Sequence, residues 1–143
     1  MRVLSIVLIL FSQLVFAQTK TGTLTIEVKK YKKAQGNIMI SVYKTAEGFP
    51  TKPEKAFKKF IVPIKGNTFE YSIPELPEGT YAVGIIHDEN ANNQMESNFI
   101  GIPKEGIGTS NDAKGNFGPP KFDDAKFSFA GGTKKIIINL VYL

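Results

Sequence analysis

The sequence contains no cysteine and no tryptophan, a single histidine, His87, and a single arginine, Arg2. Without cysteine the chain can form no disulfide and can use no thiolate as a nucleophile or metal ligand. Arginine reads phosphates and base edges with two parallel hydrogen bonds, so its near absence argues against a nucleic-acid partner. The other basic residues are lysines scattered along the chain, which is typical of a solvated surface.

The sequence also begins without an apolar run long enough to span a membrane as a helix, which takes about 20 residues. Two apolar runs follow Arg2, residues 3–11 and 14–17, and the pair Ser12-Gln13 separates them. A positive charge, a short apolar core and the small residue Ala17 are typical of a secretory signal peptide. We therefore expect residues 1–17 to be a signal peptide cleaved after Ala17. The protein should be periplasmic or secreted, with no membrane span after cleavage.

Period-two alternation of apolar and polar residues predicts about seven β-strands and no substantial helix. In residues 23–29, for example, Leu24, Ile26 and Val28 occupy one face. Short turns between successive strands favour antiparallel pairing. We predict an all-β fold, in which residues 18–143 form one antiparallel β-sandwich of immunoglobulin-like or transthyretin-like type, and we expect a monomer. The predicted strands lie at 23–29, 38–43, 58–64, 68–73, 81–85, 126–129 and 134–143.

Three strands carry position-specific expectations. Pro63 cannot donate to a sheet ladder, so the strand that contains it should lie at an edge or end there. Tyr81, with Leu76 and Gly79 before it, matches the tyrosine corner of immunoglobulin-like sandwiches, in which the Tyr hydroxyl bonds to nearby upstream backbone. The near-continuous apolar run at 134–143 predicts a central strand that is covered on much of both faces.

Residues 87–122 form a long stretch that is rich in glycine and asparagine and has no strand or helix period. Loops longer than about 15 residues are uncommon in compact domains and are usually functional or disordered. We expect one long ordered loop between the last-but-two and last-but-one strands, and we expect this loop to form the functional surface. Apolar side chains should pin it onto the sandwich, namely Phe99, Ile100, Ile102, Phe117 and Phe122.

Oxygen-bearing side chains recur near the start of this loop at the spacing of a calcium loop. Positions one, three, five and nine are Asp88, Asn90, Asn92 and Glu96, and position seven, Gln94, would supply its backbone carbonyl. Position twelve, normally a bidentate glutamate, is aromatic here, so the pattern predicts weak calcium binding towards the millimolar range. The other interpretation is a polar loop of Asx turns whose side chains bond to their own backbone. The sequence leaves both interpretations open.

His87 could act as a general base or a metal ligand, and its conceivable partners are Asp88, Glu105, Ser110 and Asp112. No nucleophile-elbow sequence is present, however, and lone histidines commonly serve structural roles. We therefore predict a protein that is not an enzyme and has no cofactor other than calcium. The remaining residues expected at the loop surface are His87, Asn98, Lys104, Glu105, Ser110 and Asn111.

Four motifs in the second half of the chain point to a known family: LPEGTY at 76–81, HDEN at 87–90, GIPKEG at 101–106 and FGPP at 117–120. In these motifs the chain resembles the uncharacterised secreted bacterial family called domain of unknown function 2141. The first loop of that family commonly reads D-x-N-G-N-x-x-x-D, and Ala91 replaces the glycine here. The resemblance implies an extracytoplasmic β-sandwich and implies no established activity.

Together these observations predict a non-catalytic binding or structural module whose partner is an extracytoplasmic ligand or protein. A carbohydrate- or peptide-binding domain is the first alternative, because sandwiches often bind through rim loops. Sugar platforms use aromatic faces, however, and this chain has no tryptophan. A hydrolase that uses His87 is the second alternative, and the sequence gives no sign of the second titratable group it would need.

Overall fold

The computed structural model describes residues 18–143, and the predicted signal peptide lies outside the described residues. This part of the chain forms eight strands and three short helical turns, and none of its helices is long or apolar enough to cross a membrane. The turns are α1 (Phe122–Ala125) and two 3₁₀ turns at Pro53–Lys55 and Ser110–Asp112. The strands are β1 (Thr21–Lys29), β2 (Asn37–Tyr43), β3 (Lys58–Pro63), β4 (Phe69–Pro77), β5 (Gly79–Asp88), β6 (Gly106–Thr109), β7 (Phe127–Phe129) and β8 (Gly132–Asn139).

The strands form two sheets that share one apolar core. One sheet has the order β4-β1-β8, and the other has the order β3-β2-β5-β6 with β7 paired to β5. Alternation along β1 and β2 directs Leu24, Ile26, Ile38 and Ile40 into the core, where they are at most 1% exposed. Each such side chain stabilises the fold by about 1.5–3 kcal/mol relative to exposure. The period-two pattern of the sequence therefore determines which faces meet.

The predicted all-β sandwich is confirmed, together with two of its position-specific expectations. β3, which ends at Pro63, lies at a sheet edge. The hydroxyl of Tyr81 donates to the carbonyl oxygen of Pro77 at 2.7 Å, which is the bond expected of a tyrosine corner. Tyr81 is fully buried, and this burial raises the pKa of its hydroxyl.

β8 is not the central strand that its apolar run predicted. It lies at the edge of the three-stranded sheet and pairs in parallel with β1, so the sandwich is mixed rather than purely antiparallel. Ile138 is buried, whereas Ile137 on the opposite face is 46% exposed. A short continuous apolar run looks the same in the sequence whether one face of the strand is covered or both are. The prediction of a central strand was wrong for this reason.

The stretch expected as one irregular loop contains the short strand β6, which pairs with the second half of β5. Its sequence, Gly-Ile-Gly-Thr, has too few apolar residues to show a strand period, and cross-strand pairing decides its conformation. A Cβ at Gly108 would lie 2.7 Å from Cγ2 of Ile138, so glycine allows β6 to approach β8. β6 divides the stretch into residues 88–105 and 110–121, which leave the sheet at opposite ends of β6.

Candidate functional site

His87 lies near the end of β5 and is fully buried. Its Nε2 is 2.8 Å from the carbonyl oxygen of Gln35, which can only accept, so this nitrogen carries a proton. In the neutral ring, Nδ1 accepts the hydroxyl hydrogen of Tyr142 at 2.7 Å, and that hydroxyl accepts the backbone N–H of Lys32 at 3.0 Å. His87 is therefore not the surface residue expected from the sequence, because both ring nitrogens are bonded inside the protein.

Gly106 on β6 makes the contact between His87 and Tyr142 possible. A Cβ at this position would lie 2.5 Å from Cζ of Tyr142, so a larger residue would displace the phenol ring. The rings of Tyr31 and Tyr142 both stand edge-on to the imidazole, with centroids 6.1 and 6.2 Å away. His87 consequently joins β5 to the β1–β2 connection and to the residues after β8, which is a structural role.

Asp88, the next residue, organises the loop that follows, residues 88–96, which we call the acidic loop. Asp88 is fully buried, and its two carboxylate oxygens accept the N–H groups of Asn92 at 3.1 Å and Asn93 at 2.7 Å. Ala91 and Asn93 have φ values of 56° and 61°, in the left-handed region that favours glycine and asparagine. Ala91 occupies the position of the glycine in the family motif. Its positive φ shows why that position favours glycine.

The side chains predicted as calcium ligands come together in the acidic loop. Oδ1 of Asn90 accepts the N–H of Asn92 at 3.1 Å, and Oδ1 of Asn92 accepts the N–H of Gln94 at 2.8 Å. Oε1 of Glu96 accepts the amide hydrogens of Asn90 at 3.3 Å and Asn92 at 3.0 Å. These are the bonds of the Asx-turn interpretation. Among residues 18–143, no three histidine or acidic side chains form a group that could hold a metal, and calcium binding stays a prediction.

Glu105 reaches the same region from the residue before β6. The last β5–β6 pair is His87 with Gly106, so the register continued by one residue places Glu105 opposite Asp88, and Glu105 is only 4% exposed. Its Oε2 accepts the N–H of Glu96 at 3.3 Å, and its Oε1 has no hydrogen-bond partner among the described residues. Burial raises the pKa of this carboxyl, as do the negative charges of Asp88, Glu96 and Glu89, whereas the N–H of Glu96 opposes the rise. The sequence analysis placed Glu105 at the surface, and only its position opposite Asp88 reveals the burial.

Residues 97–103 form a compact turn that we call the apolar tip. Its two ends meet in an isolated β-bridge, and Oδ1 of the half-buried Asn98 accepts the N–H groups of Ile100 at 3.0 Å and Ile102 at 2.9 Å. Phe99 is 98% exposed, Ile100 65% and Ile102 38%. The expectation that these three side chains pin the loop is wrong, because hydrogen bonds from Asn98 hold the turn and leave its apolar side chains in solvent.

Residues 110–121, the second irregular segment, are fastened to β5 through Ser110. Its buried Oγ accepts the N–H of Val83 at 2.9 Å and donates to the carbonyl of Ala125 at 2.6 Å. Asn111 is exposed, as expected, and its amide donates to two backbone carbonyls at 3.2 and 2.9 Å. Ser110 was expected at the surface and is buried instead. It holds the segment in place because its two backbone partners, at Val83 and Ala125, are buried and need a hydrogen bond inside the protein.

The two aromatic residues expected to pin the second segment behave differently. Phe122 is half-buried, and its ring stands edge-on to that of Phe49 with centroids 5.9 Å apart, as a pin should. Phe117 is fully exposed and was wrongly expected to pack. It belongs to the segment that leaves the opposite end of β6 from the apolar tip. Lys104, at the base of the apolar tip, is exposed as expected.

The model of one family, described as an uncharacterized protein conserved in bacteria (DUF2141), matches residues 26–137 of the chain. The chain belongs to this family. The matched range includes the acidic loop, the apolar tip and Glu105, so the resemblance inferred from the motifs is confirmed. No curated protein and no solved structure matches the chain. DUF2141 is itself uncharacterised, and membership in it therefore assigns no activity.

Proposed function

We propose that the protein is a non-catalytic binding module that acts outside the cytoplasm and docks on a partner protein through the apolar tip. The observation that carries this proposal is the exposure of Phe99, Ile100 and Ile102 on an ordered turn. Contiguous apolar side chains at the surface of a soluble domain mark interaction sites. The signal-peptide pattern of residues 1–17 supports a periplasmic or secreted location.

The form of the apolar tip favours a protein partner. Asn98 fixes the backbone of the turn, so less conformational freedom is lost when the tip is covered. A projecting aromatic side chain with aliphatic neighbours is the kind of anchor that fills a pocket at an interface hot spot.

The alternative functions have less support in the geometry. A hydrolase would need an accessible base, and both ring nitrogens of His87 are bonded inside the protein. A carbohydrate-binding site would need a platform of exposed aromatic faces. The five tyrosines are buried or half-buried, and the two most exposed aromatic side chains, Phe99 and Phe117, lie on segments that leave β6 at opposite ends and do not form one platform. A module that binds through a preformed apolar turn accounts for more of the observed arrangement.

Photocrosslinking in the native bacterium tests the proposal. The photoreactive residue p-benzoylphenylalanine replaces Phe99 in one strain and, as a matched control, Phe57 in another, because Phe57 is an aromatic residue 41% exposed outside the tip. Irradiation should give a discrete protein adduct from position 99 and none from position 57. Equal adducts from both positions, no adduct from position 99, or only a lipid adduct there would overturn the proposal.

A double variant separates binding from folding. Phe99→Ser with Ile100→Ser removes the two most exposed apolar side chains of the tip and keeps Asn98. The variant should unfold within about 0.5 kcal/mol of the unchanged protein, since neither side chain is buried in it. It should lose affinity for the crosslinked partner, and unchanged affinity would count against the tip as the contact surface.

A further inference from the structure

Phe117 projects from the second irregular segment, residues 110–121, with its whole side chain in solvent. The turn that carries it is tightly closed, because a Cβ at Gly115 would collide with the carbonyl group of Gly118. The residues that follow the turn are fastened to the sandwich, since the ring of Phe122 packs edge-on against that of Phe49. An aromatic ring held in solvent on a closed turn is available to a partner.

The charge beside Phe117 is positive. Residues 113–121 contain two lysines, Lys114 and Lys121, and no carboxylate. Both lysines are exposed, and neither lies within ion-pair distance of a carboxylate of residues 18–143. The exposed ring is therefore flanked by two cations that are free to meet an anionic partner.

Most of the carboxylates near this segment have partners inside the protein. Asp112 accepts two hydrogen bonds from Asn139, at 2.9 and 2.6 Å, and Asp123 pairs with Lys126 at 2.7 Å. Asp124 is exposed, and it lines a groove of about 370 Å³ together with the two lysines of the segment. Two cations and one anion line this groove, so it favours an anionic group such as a phosphate.

We propose that the second irregular segment docks the protein on an anionic phospholipid surface. Phe117 enters the boundary between headgroups and acyl chains, and Lys114 and Lys121 meet the headgroup phosphates. Basic side chains are attracted to an anionic bilayer, and burial of an apolar side chain adds to that attraction. A protein partner suits this segment less well, because residues 110–121 contain no leucine, isoleucine, valine or methionine to build an apolar interface core around the ring.

The distribution of charge orients the protein on such a surface. The second irregular segment and the acidic loop leave the sheet at opposite ends of β6. An anionic surface therefore attracts the end that carries Lys114 and Lys121 and repels the end that carries Asp88 and Glu96. The apolar tip then points away from the membrane, where it can still bind a protein. This inference uses other residues than the apolar tip and does not depend on it.

Flotation with lipid vesicles tests the proposal on residues 18–143, which contain all the strands of both sheets. We expect binding to vesicles of phosphatidylglycerol and phosphatidylcholine in equal amounts, none to phosphatidylcholine alone, and weaker binding as salt is added. Phe117→Ser should weaken the binding at least about tenfold, because it removes the apolar side chain that is buried in the membrane. The double variant Lys114→Gln with Lys121→Gln should weaken it at least about tenfold as well.

Two variants elsewhere on the surface are the matched controls. Ile137→Ser removes an apolar side chain that is 46% exposed on β8, and Lys104→Gln removes an exposed lysine at the base of the apolar tip. Both should bind the vesicles as the unchanged protein does. Absence of binding to the phosphatidylglycerol vesicles, or unchanged binding of Phe117→Ser, would overturn the proposal.

A fluorescent reporter shows which end of the protein meets the membrane. The chain has no cysteine, so Phe117→Cys and Phe99→Cys each provide one site for an environment-sensitive nitrobenzoxadiazole dye. With phosphatidylglycerol vesicles, the dye at position 117 should brighten and shift its emission to shorter wavelength, and the dye at position 99 should not. An equal response at both positions, or a response at position 99 alone, would contradict docking through Phe117.

Photocrosslinking in the native bacterium distinguishes a lipid from a protein at this surface. With p-benzoylphenylalanine in place of Phe117, irradiation should give a lipid adduct. A discrete protein adduct from position 117 would overturn the proposal. Failure here would leave a protein adduct from position 99 intact, so docking on lipid and docking through the apolar tip are tested separately.

Discussion

At the scale of single residues, the polar side chains of the irregular segments divide by burial into those that fasten the chain and those that face solvent. His87, Asp88 and Ser110 are each at most 1% exposed and use their polar atoms on backbone or on another buried group. Such residues stabilise the segments because a buried donor or acceptor left alone is costly. Glu105 is the exception, since one of its oxygens has no partner among the described residues.

Ser110→Ala should destabilise the protein by about 1–3 kcal/mol, because the N–H of Val83 and the carbonyl of Ala125 would both lose a buried partner. Urea unfolding followed by circular dichroism measures the change. Ser128→Ala on β7 is the control, since Ser128 is exposed and its variant should lie within about 0.5 kcal/mol of the unchanged protein. Equal effects of the two substitutions would show that Ser110 does not fasten the segment.

Tyr81→Phe should cost about 0.5–1.5 kcal/mol of unfolding free energy, because it removes the 2.7 Å hydrogen bond to Pro77 and leaves the ring packing intact. Tyr71→Phe serves as the comparison, since the Tyr71 hydroxyl has no partner in the described part of the chain. The difference between the two midpoints in urea gives the contribution of the corner bond. A smaller loss of unfolding free energy for Tyr81→Phe than for Tyr71→Phe would contradict a stabilising role of the bond between Tyr81 and Pro77.

At the scale of elements, the sequence predicts the strands in which apolar and polar residues alternate over many positions. It does not predict a strand whose conformation is decided by pairing with its neighbour. β1 and β2 alternate cleanly, and their predicted ranges agree with the structure to within two residues. β6 has only four residues, two of them glycine, so its conformation depends on β5 and not on its own period. The position of β8 at a sheet edge, parallel to β1, likewise follows from long-range topology that periodicity does not contain.

Gly106→Ala should destabilise the protein by about 1–3 kcal/mol, because the added methyl would overlap the Tyr142 ring, 2.5 Å from Cζ, and separate it from His87. Gly66→Ala is the control, since a methyl group added at Gly66 would have no heavy atom within 4 Å. Both variants are compared by thermal and urea unfolding. If Gly106→Ala unfolds like Gly66→Ala, the joint between β6, His87 and Tyr142 is not under steric control.

At the scale of the whole molecule, the sequence singled out the loop that forms the candidate site. It did not predict which side chains of the site are buried and which face solvent. Spacing alone singled out Asp88, Asn90, Asn92 and Glu96, and the structure brings these side chains together in one loop, while their role as calcium ligands stays a prediction. Spacing cannot show that Glu105 lies opposite Asp88, since that contact depends on strand register. It also cannot show that the apolar tip faces solvent, because apolar composition predicts burial and only the hydrogen bonds of Asn98 reveal a self-supporting turn.

Calcium bound by the acidic loop, as the spacing of its side chains predicts, should raise the free energy of unfolding of the whole domain. A ligand that binds only the folded state adds RT ln(1 + [L]/Kd), which is about 1.4 kcal/mol at ten times Kd. Urea unfolding in calcium, in magnesium and in sodium chloride of equal ionic strength measures this increment. The tip variant Phe99→Ser with Ile100→Ser should keep the full calcium increment, whereas Asp88→Ala, which removes position one of the predicted calcium loop, should lose it. No increment in the unchanged protein would contradict the prediction of calcium binding, and an increment lost in the tip variant as well would mean that the apolar tip and the acidic loop form one structural unit.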